Sequence, residues 1–457
     1  MAAQRRLEVV VDSVKRLLRM GATSNLLNLL QKQYPADLAQ VFGDLTEKER
    51  SSAFSLLVER APRLAMEGLS ELGPADGAKL LADHSAEEIA RLLQEIPSDD
   101  AAAIVDHLPE ELSAAVLALI KPKPGGGVGE LLEYPEQTAG RIMNPNVFAL
   151  REDMTVTEAI AALQGSREVE MVFYLYVVDE RRHLVGVVSL RRLLLVAPET
   201  PLKRIMTTDL ISVRVDTDQE EVARQVASYN LLAIPVVDEE NKLVGIITVD
   251  DVIDVIKDEA TEDVYRLAGV PGDDHVLTSP ADSLRKRLPW LVVNLVTAFV
   301  AASVVAVFQG TITQWVALAV FMPIVAGMGG NAATQTLTVI VRGIAIGELT
   351  WGNSRKALMK EAVVGLGNGF ALGTIAALGA WALQGNPYLG IVLALAMIIN
   401  MFIAATAGTL IPLALRAMKI DPALASSVFI TTLTDVFGFF SFLGLGTIFL
   451  RFLQRPG

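Results

Sequence analysis

The strongest constraint on this 457-residue chain is a succession of apolar stretches after Pro289, each of about 20 residues or more, the length a helix needs to cross a bilayer core. Five spans are predicted: Pro289 to Phe308, Trp315 to Val341, Ala362 to Leu383, Leu389 to Leu415, and Ala423 to Leu450. A large buried helical core is the competing reading, and several uninterrupted apolar runs in a row argue against it. The connecting segments set a direction. Arg285, Lys286 and Arg287 precede the first span, Arg342, Arg355, Lys356 and Lys360 lie between the second and third, and Arg416 and Lys419 between the fourth and fifth. Segments 309–314 and 384–388 carry no charge. Under the positive-inside rule the N-terminal portion faces the cytoplasm and the C-terminal tail faces outward, in a multi-pass protein of the cell (inner) membrane.

Charge divides the chain at the same place. The total is -13, with 52 acids against 39 Lys and Arg; residues 1–280 carry -19 and the remainder +6. An acidic soluble portion argues against binding a phosphate backbone, so no nucleic-acid partner is expected. The absence of cysteine excludes disulfides, thiol catalysis and thiolate metal sites. His84, His107, His183 and His275 stand too far apart for a zinc-type spacing. The N-terminal run MAAQRRLEVVVDSVKRLL lacks the apolar centre of a signal peptide. No triad, phosphate loop or pair of catalytic carboxylates stands out, and no enzyme activity is expected.

Polar residues within the spans carry the information, because charge at membrane depth is costly and faces a protein interior or a water-filled path. Asp435, in FITTLTDVFGFF, is the acid well within a span; Thr431 and Ser427 precede it by about one and two turns and share its face. This pattern fits a cation site lining a pore, or else a buried Asp bonded to a neighbouring helix. The second span holds Pro323 and then Gly327, Gly329 and Gly330 ahead of Asn331, Thr334 and Gln335. Proline and glycine there allow a broken or a closely packed helix. Asn331 and Gln335, four residues apart, are unsuited to facing lipid and suit a pore lining or a bond between helices.

Residues 1–128 read as short helices with starts such as Pro-Ala-Asp and Ser-Ala-Glu-Glu, where acids cap the end and oppose the dipole; their even spacing predicts an all-α superhelical domain. Lys121 to Gly129 reads as a linker. An internal repeat follows over 129–256. Arg141 to Ile160 matches Arg204 to Ala223, and Tyr176 to Leu194 matches Pro235 to Ile253, each copy alternating strands and helices. The repeat resembles a pair of CBS domains, an α/β regulatory module that often binds adenine nucleotides. Gly245, Thr248 and Asp251 match the glycine, hydroxyl and acid that contact ribose and phosphate in nucleotide-binding members. The first copy has Gly186 and Ser189 but Arg192 in the acid's place, which leaves at most one well-formed site for a nucleotide such as ATP, or a purely structural module.

Between the repeat and the spans, Asp250, Asp251, Asp254, Asp258, Glu259, Glu262 and Asp263 crowd a predicted connecting helix, with 257–280 assigned as its plug segment and 281–457 as the membrane domain. Such a run is a solvated face or, beside an already acidic portion, a place where hard divalent cations neutralise self-repulsion.

This order of parts resembles the MgtE family of magnesium channels, most specifically in PIVAGMGGNAATQT, RGIAIGEL and DPALASSVFITTLTD. The resemblance implies a homodimer with the pore on its two-fold axis, in which Asp435 of each subunit faces a largely hydrated magnesium ion. It also implies closure by cytosolic magnesium at Asp251, Asp254, Glu259, Glu262, Asp263 and Glu220, while Asn230 stands where some relatives have an acid. The competing expectation is a nucleotide-regulated secondary carrier for another cation or solute; a third is a membrane-anchored sensor without transport.

Overall fold

A computed structural model describes residues 2–120, 127–166, 173–270, 274, 276, 278–424 and 427–450, leaving the side chains of residues 2–4 and 427 outside that description. It divides into two compact units, Met1–Ile256 and Lys257–Gly457.

The first unit opens, as predicted, with short helices throughout: α1 (Ala2–Arg19), α2 (Thr23–Leu30), α3 (Pro35–Asp44), α4 (Glu47–Arg60), α5 (Pro62–Ser70), α6 (Pro74–Leu81), α7 (Ala86–Leu92), α8 (Ser98–Asp106) and α9 (Glu110–Leu119). Their starts follow from local chemistry. Pro35, Pro62 and Pro74 occupy first-turn positions where a missing N–H costs nothing. Thr46 and Glu49 form a reciprocal capping box on α4. Most of these helices are too short to be stable alone and pack on near neighbours, such as α3 on α5 and α6 on α8, burying Phe42, Phe54, Leu57, Met66 and Leu69.

Two small sheets follow. Helices α10 (Val128–Glu133) and α11 (Ala139–Ile142) lead into β1 (Ala149–Arg151), α12 (Val156–Gly165), β2 (Tyr174–Val178), β3 (Leu184–Ser189) and α13 (Leu190–Leu195). The second copy is β4 (Val213–Arg214), α14 (Gln219–Tyr229), β5 (Ala233–Val237), β6 (Leu243–Thr248) and α15 (Val249–Ala268). In each copy the first strand runs parallel to the second and the second antiparallel to the third, with a register irregularity at the matching Val177/Val178 and Val236/Val237. The repeated Val-Val-Asp-Glu makes the hairpins: the Asp179 carboxylate accepts from the Arg181 and His183 N–H groups, and Asp238 accepts from those of Glu240 and Lys242. The copies also exchange contacts. The Leu184 N–H donates to the Asn241 carbonyl and the Leu243 N–H to that of Arg182. Met143 of the first copy packs on Gly245 of the second, while Met206 of the second packs on Gly186 of the first. The repeated Arg-Ile-Met is thus a reciprocal clasp.

In the second unit the connecting helix α15 ends at Ala268 rather than continuing toward 280. Gly269 takes φ +68 and the Val270 N–H closes onto the Tyr265 carbonyl, a glycine stop. The membrane unit follows as α16 (Pro280–Val307), a short α17 (Gln309–Gln314), α18 (Ala317–Ala345), α19 (Ser354–Gln384), α20 (Pro387–Ala417) and α21 (Ser427–Ile448). Five of these helices are long and apolar enough to cross a membrane. α18 passes through Pro323 and its glycines without a break, so the close-packing alternative is the one realised. α20 is the central element: Gly365, Gly369 and Gly373 of α19 let it approach so closely that added methyl groups would strike Met401, Ile398 and Ala394.

Candidate functional site

The membrane unit places the predicted pore residues on two helices that pack together, α18 and α21. Asp435 sits mid-way along α21, half-buried, and forms no hydrogen bond or ion pair with another described residue. Thr431, one turn earlier, lies against Gly330, whose missing side chain allows the approach. Ser427 is the first residue of α21, and its side chain lies outside the described part. Asn331 and Gln335 are exposed on the single chain. These residues share the α18–α21 neighbourhood, therefore, and Asp435 finds no partner there among the described residues.

A second acid was not singled out from the sequence because it falls just before the predicted third span. Glu361 of α19 is buried, accepts from the Thr336 hydroxyl at 3.2 Å and pairs with the Lys360 ammonium at 2.5 Å. The helix start at Ser354, earlier than Ala362, brings it inside the packed helices.

The end of α15 is fastened to α21 and the segment before it by contacts that spacing alone did not reveal. Arg266 bridges Glu262, one turn back on its own helix, and Asp421, six residues before α21. Leu267 packs against a cluster that includes Ala333 and Leu337 of α18 and Ile430 of α21. The Trp290 ring of α16 lies against Gly269 and meets Phe429 of α21 edge-on, centroids 5.9 Å apart. Glu259, Glu262 and Asp263 ride on this fastened segment, where burial pushes the Asp263 carboxyl above its ordinary range.

In the first unit Asp251 belongs to a like-charge cluster with residues of α8. Burial pushes Asp251 up to about 6, opposed by its bond from Thr248 and reinforced by Asp250 and Asp100. Burial, then Asp251 and Asp100, raise Asp99 well above the usual carboxylate range, and its Oδ1 is shut off from solvent with no partner. The same junction is held by the Asn146 amide donating to Ser98 Oγ at 3.1 Å and by the Arg141–Asp106 ion pair at 2.7 Å. Asp99 and Asp100 went unsuggested by the sequence, where Pro-Ser-Asp-Asp reads as a helix start; the signal available was the second consecutive Asp, more than capping needs. Asp254 and Glu220 are exposed, on α15 and α14. Asn230 ends α14 with φ 51 and ψ 46, a left-handed cap that Asn accepts more readily than most residues. Among the described residues no three His, Asp or Glu side chains converge as a ready metal site. The predicted regulatory acids are therefore not gathered into a preformed cage.

The residues matched to nucleotide binding have structural tasks. Gly245 makes room for Met143, and the Thr248 N–H and hydroxyl both donate to Asp251 Oδ2, a helix cap. In the first copy, where Arg192 stands in the acid's place, the cap is instead the Ser189 Oγ accepting from the Arg192 N–H. An open cleft of about 650 Å³ lies at the first copy instead, lined by Phe173, Tyr174, Ser189, Arg191, Leu194 and Leu232 among others.

Comparison with known proteins decides the family. The divalent cation transporter family MgtE matches residues 322–445, the MgtE intracellular N domain matches 33–137, and CBS domains match 139–199 and 202–258. The magnesium transporter MgtE of Thermus thermophilus is 37% identical over 450 residues, covering 97% of this chain and 99% of the relative. The chain belongs to the MgtE family. The Bacillus subtilis MgtE is 39% identical over 71% of this chain and 72% of its own. A crystal structure of the cytosolic domain of the Mg2+ channel MgtE in complex with ATP superposes with TM-score 0.50 at 37% identity, covering 54% of this chain and 99% of that one. The soluble part of a magnesium transporter gives TM-score 0.50 at 32% identity over 56% of this chain and 99% of its own. These relatives are named as transporters, and the chain is a multi-pass membrane member of the MgtE family with a soluble N-terminal portion.

Proposed function

We propose that this MgtE member is a magnesium channel closed by cytosolic magnesium. Two copies assemble about a two-fold axis, and Asp435 from each faces a hydrated ion, with Thr431, Ser427 and Asn331 lining its path. Two carboxylates balance a divalent charge that one would half compensate. The observation that carries this reading is the contrast within α21 and α18: Asp435 has no partner among the described residues and Asn331 is exposed, although both sit in helices of membrane length. The N-terminal portion lies in the cytoplasm and the C-terminus outside.

Closure draws on acids that repel one another. Asp251, with Asp99 and Asp100, supplies oxygens at one junction, and the unpartnered Asp99 Oδ1 suits a hard cation that keeps most of its water. Asp254, Glu259, Glu262, Asp263 and Glu220 supply the remainder. Bound ions favour the arrangement in which these acids lie close, and the fastening of α15 to α21 through Arg266 and Leu267 carries that preference to the pore. An adenine nucleotide such as ATP is a further ligand, supported by the relative crystallised with ATP and by the aromatic cleft at Phe173 and Tyr174, which suits a flat base.

The test is divalent-ion flux into liposomes holding the purified protein, intact and as Asp435→Ala, with magnesium varied on the cytoplasmic face. Flux lost in the variant, and falling as cytoplasmic magnesium rises in the intact protein, is the expected result. Flux that follows the pH gradient would favour a proton-coupled carrier, and unchanged flux in Asp435→Ala would remove Asp435 from the pore.

A further inference from the structure

Asn400 lies mid-way along α20 and is almost wholly buried, at 1% exposure. Its amide N–H donates to the Val325 carbonyl of α18 at 2.9 Å, while its Oδ1 is buried with no partner. An apolar residue of the same shape would avoid that orphaned acceptor, so the amide needs another explanation. Two glycines supply one. A methyl group built on Gly329 of α18 would fall 2.2 Å from Asn400 Nδ2, and one on Gly438 of α21 would fall 2.7 Å from the same atom. A single flat amide therefore fills the space of two missing side chains, on two different helices.

These are the helices that carry the pore residues. Gly329 lies two positions before Asn331, and Gly438 lies one turn after Asp435. One turn before Asp435, Thr431 meets Gly330 of α18 in the second close approach, at 3.3 Å from an added methyl. Asp435 is thus bracketed along α21 by two contacts that fix the separation from α18, one of them set by Asn400. We propose that Asn400 is a positioning residue for the permeating ion: its amide, keyed to Val325 and bounded by Gly329 and Gly438, sets the spacing of α18 and α21 around Asp435. The inference rests on Asp435 being the pore site.

An amide that fills the space of two side chains responds to added bulk differently from a loosely packed one. Gly438→Ala puts a methyl into the amide and should lower magnesium flux in liposomes about tenfold, the effect of overpacking a tight junction. Asn400→Ala empties that space and alone should lower flux by less, with the magnesium concentration giving half-maximal flux and the ratio of magnesium to cobalt flux both shifted. The double variant Gly438→Ala/Asn400→Ala should recover flux to at least the level of Asn400→Ala. Gly444→Ala, where an added methyl would meet nothing closer than a Phe308 atom at 4.0 Å, should match the intact chain. If Gly438→Ala yields no monodisperse protein, recovery of monodisperse protein in the double variant is the same relief, and failure of both overturns the proposal. It is also overturned if Gly438→Ala conducts normally, if the double variant is no better than Gly438→Ala, or if Asn400→Ala leaves half-saturation and ion ratio unchanged. Asp435→Ala in the same assay separates the two ideas: flux persisting there defeats the pore reading, whereas flux lost there without rescue at Gly438 defeats only the role of Asn400.

Discussion

Glu361 and Asp435 are carboxylates on apolar helices of one membrane unit. Glu361 has 4% exposure, with one oxygen on the Thr336 hydroxyl and the other on the Lys360 ammonium. Asp435 is half-buried and meets no described partner. A buried charge persists when its partners replace the water it loses, and Glu361 meets that condition within the chain. Asp435 does not meet it among the described residues, and under the proposed function an ion, water or a second subunit completes it. The first unit repeats the contrast. Asp106 is paired with Arg141, whereas Asp99 faces the Asp251 charge and has one buried oxygen without a hydrogen-bond partner. Under the proposed function, acids completed by protein hold the fold together and acids left incomplete are where a cation acts.

The largest effect that could break this comparison is at Asp435. Asp435→Ala should lower magnesium flux about 100-fold or more, the scale expected on deleting one member of a close, desolvated charge pair. Asp435→Asn, which keeps the shape and loses the charge, should fall nearly as far in the same liposome assay. A normal flux in Asp435→Asn would mean that size rather than charge matters there, and the contrast with Glu361 would lose its electrostatic basis.

Next in size is the cytosolic cluster. Asp251→Asn should raise the cytoplasmic magnesium needed for half-closure about tenfold, roughly one ligand's worth of affinity, while maximal flux stays unchanged. Asp99→Asn should act in the same direction. Closure at unaltered magnesium in both variants would reassign these acids to folding alone.

The same cluster carries a pH dependence with a definite sign. The folded carboxyl of Asp251 titrates at about 6, above its ordinary 3.8, so between those values the folded state holds more protons than the unfolded one. Without magnesium, the first unit should then lose stability as pH rises from about 4 through about 6 and level off above that. Asp99, Asp100 and Asp250 face the same group and add to the effect. Magnesium should reverse the trend near neutral pH, because it binds the carboxylate and not the acid. Hydrogen exchange in α8 of the full chain, corrected for the intrinsic rate, reads this directly. Exchange that is independent of pH in magnesium-free buffer, or equal in the intact chain and Asp251→Asn, would contradict it.

Much of the architecture was legible because it rests on period and composition. Apolar length alone announced five spans, and the paired Val-Val-Asp-Glu segments announced a repeat whose hairpins are made by those same Asp residues. Asp435 stood out because an acid in an apolar run is rare. What stayed hidden depends on which helices meet. Nothing in Pro-Ser-Asp-Asp states that Asp99 will face Asp251, some 150 positions away, and nothing around Asn400 states that two glycines on other helices will enclose it. Glu361 was missed through a boundary: its helix begins eight residues before the predicted span, because Ser354 to Lys360 form helix with polar residues that a hydropathy reading excludes.

A smaller effect is expected where α15 is fastened to α21. Arg266→Ala removes a bridge between Glu262 and Asp421 whose members are about one-third exposed, so the pair is worth little in isolation. Its consequence should show in coupling: half-closure should need about two to three times more magnesium, matching roughly 0.5 kcal/mol, with maximal flux intact. An unshifted closure curve would leave Leu267 and the Trp290–Phe429 contact to carry the coupling.

The smallest effect returns to Glu361. Glu361→Gln keeps an acceptor for the Thr336 hydroxyl and gives up the charge that Lys360 neutralises, and Lys360 itself remains largely exposed to solvent. Magnesium flux should therefore change by less than about threefold, since a partly exposed ion pair contributes on the order of 0.5 kcal/mol. Glu361→Ala is the sharper partner variant: it strands the Thr336 hydroxyl and opens a gap between α18 and α19, so heat stability in detergent should fall by about 1–3 kcal/mol. If Glu361→Gln instead abolished flux with stability unchanged, its charge would serve conduction as Asp435 does, and a carboxylate completed by protein could no longer be separated from one left for the ion.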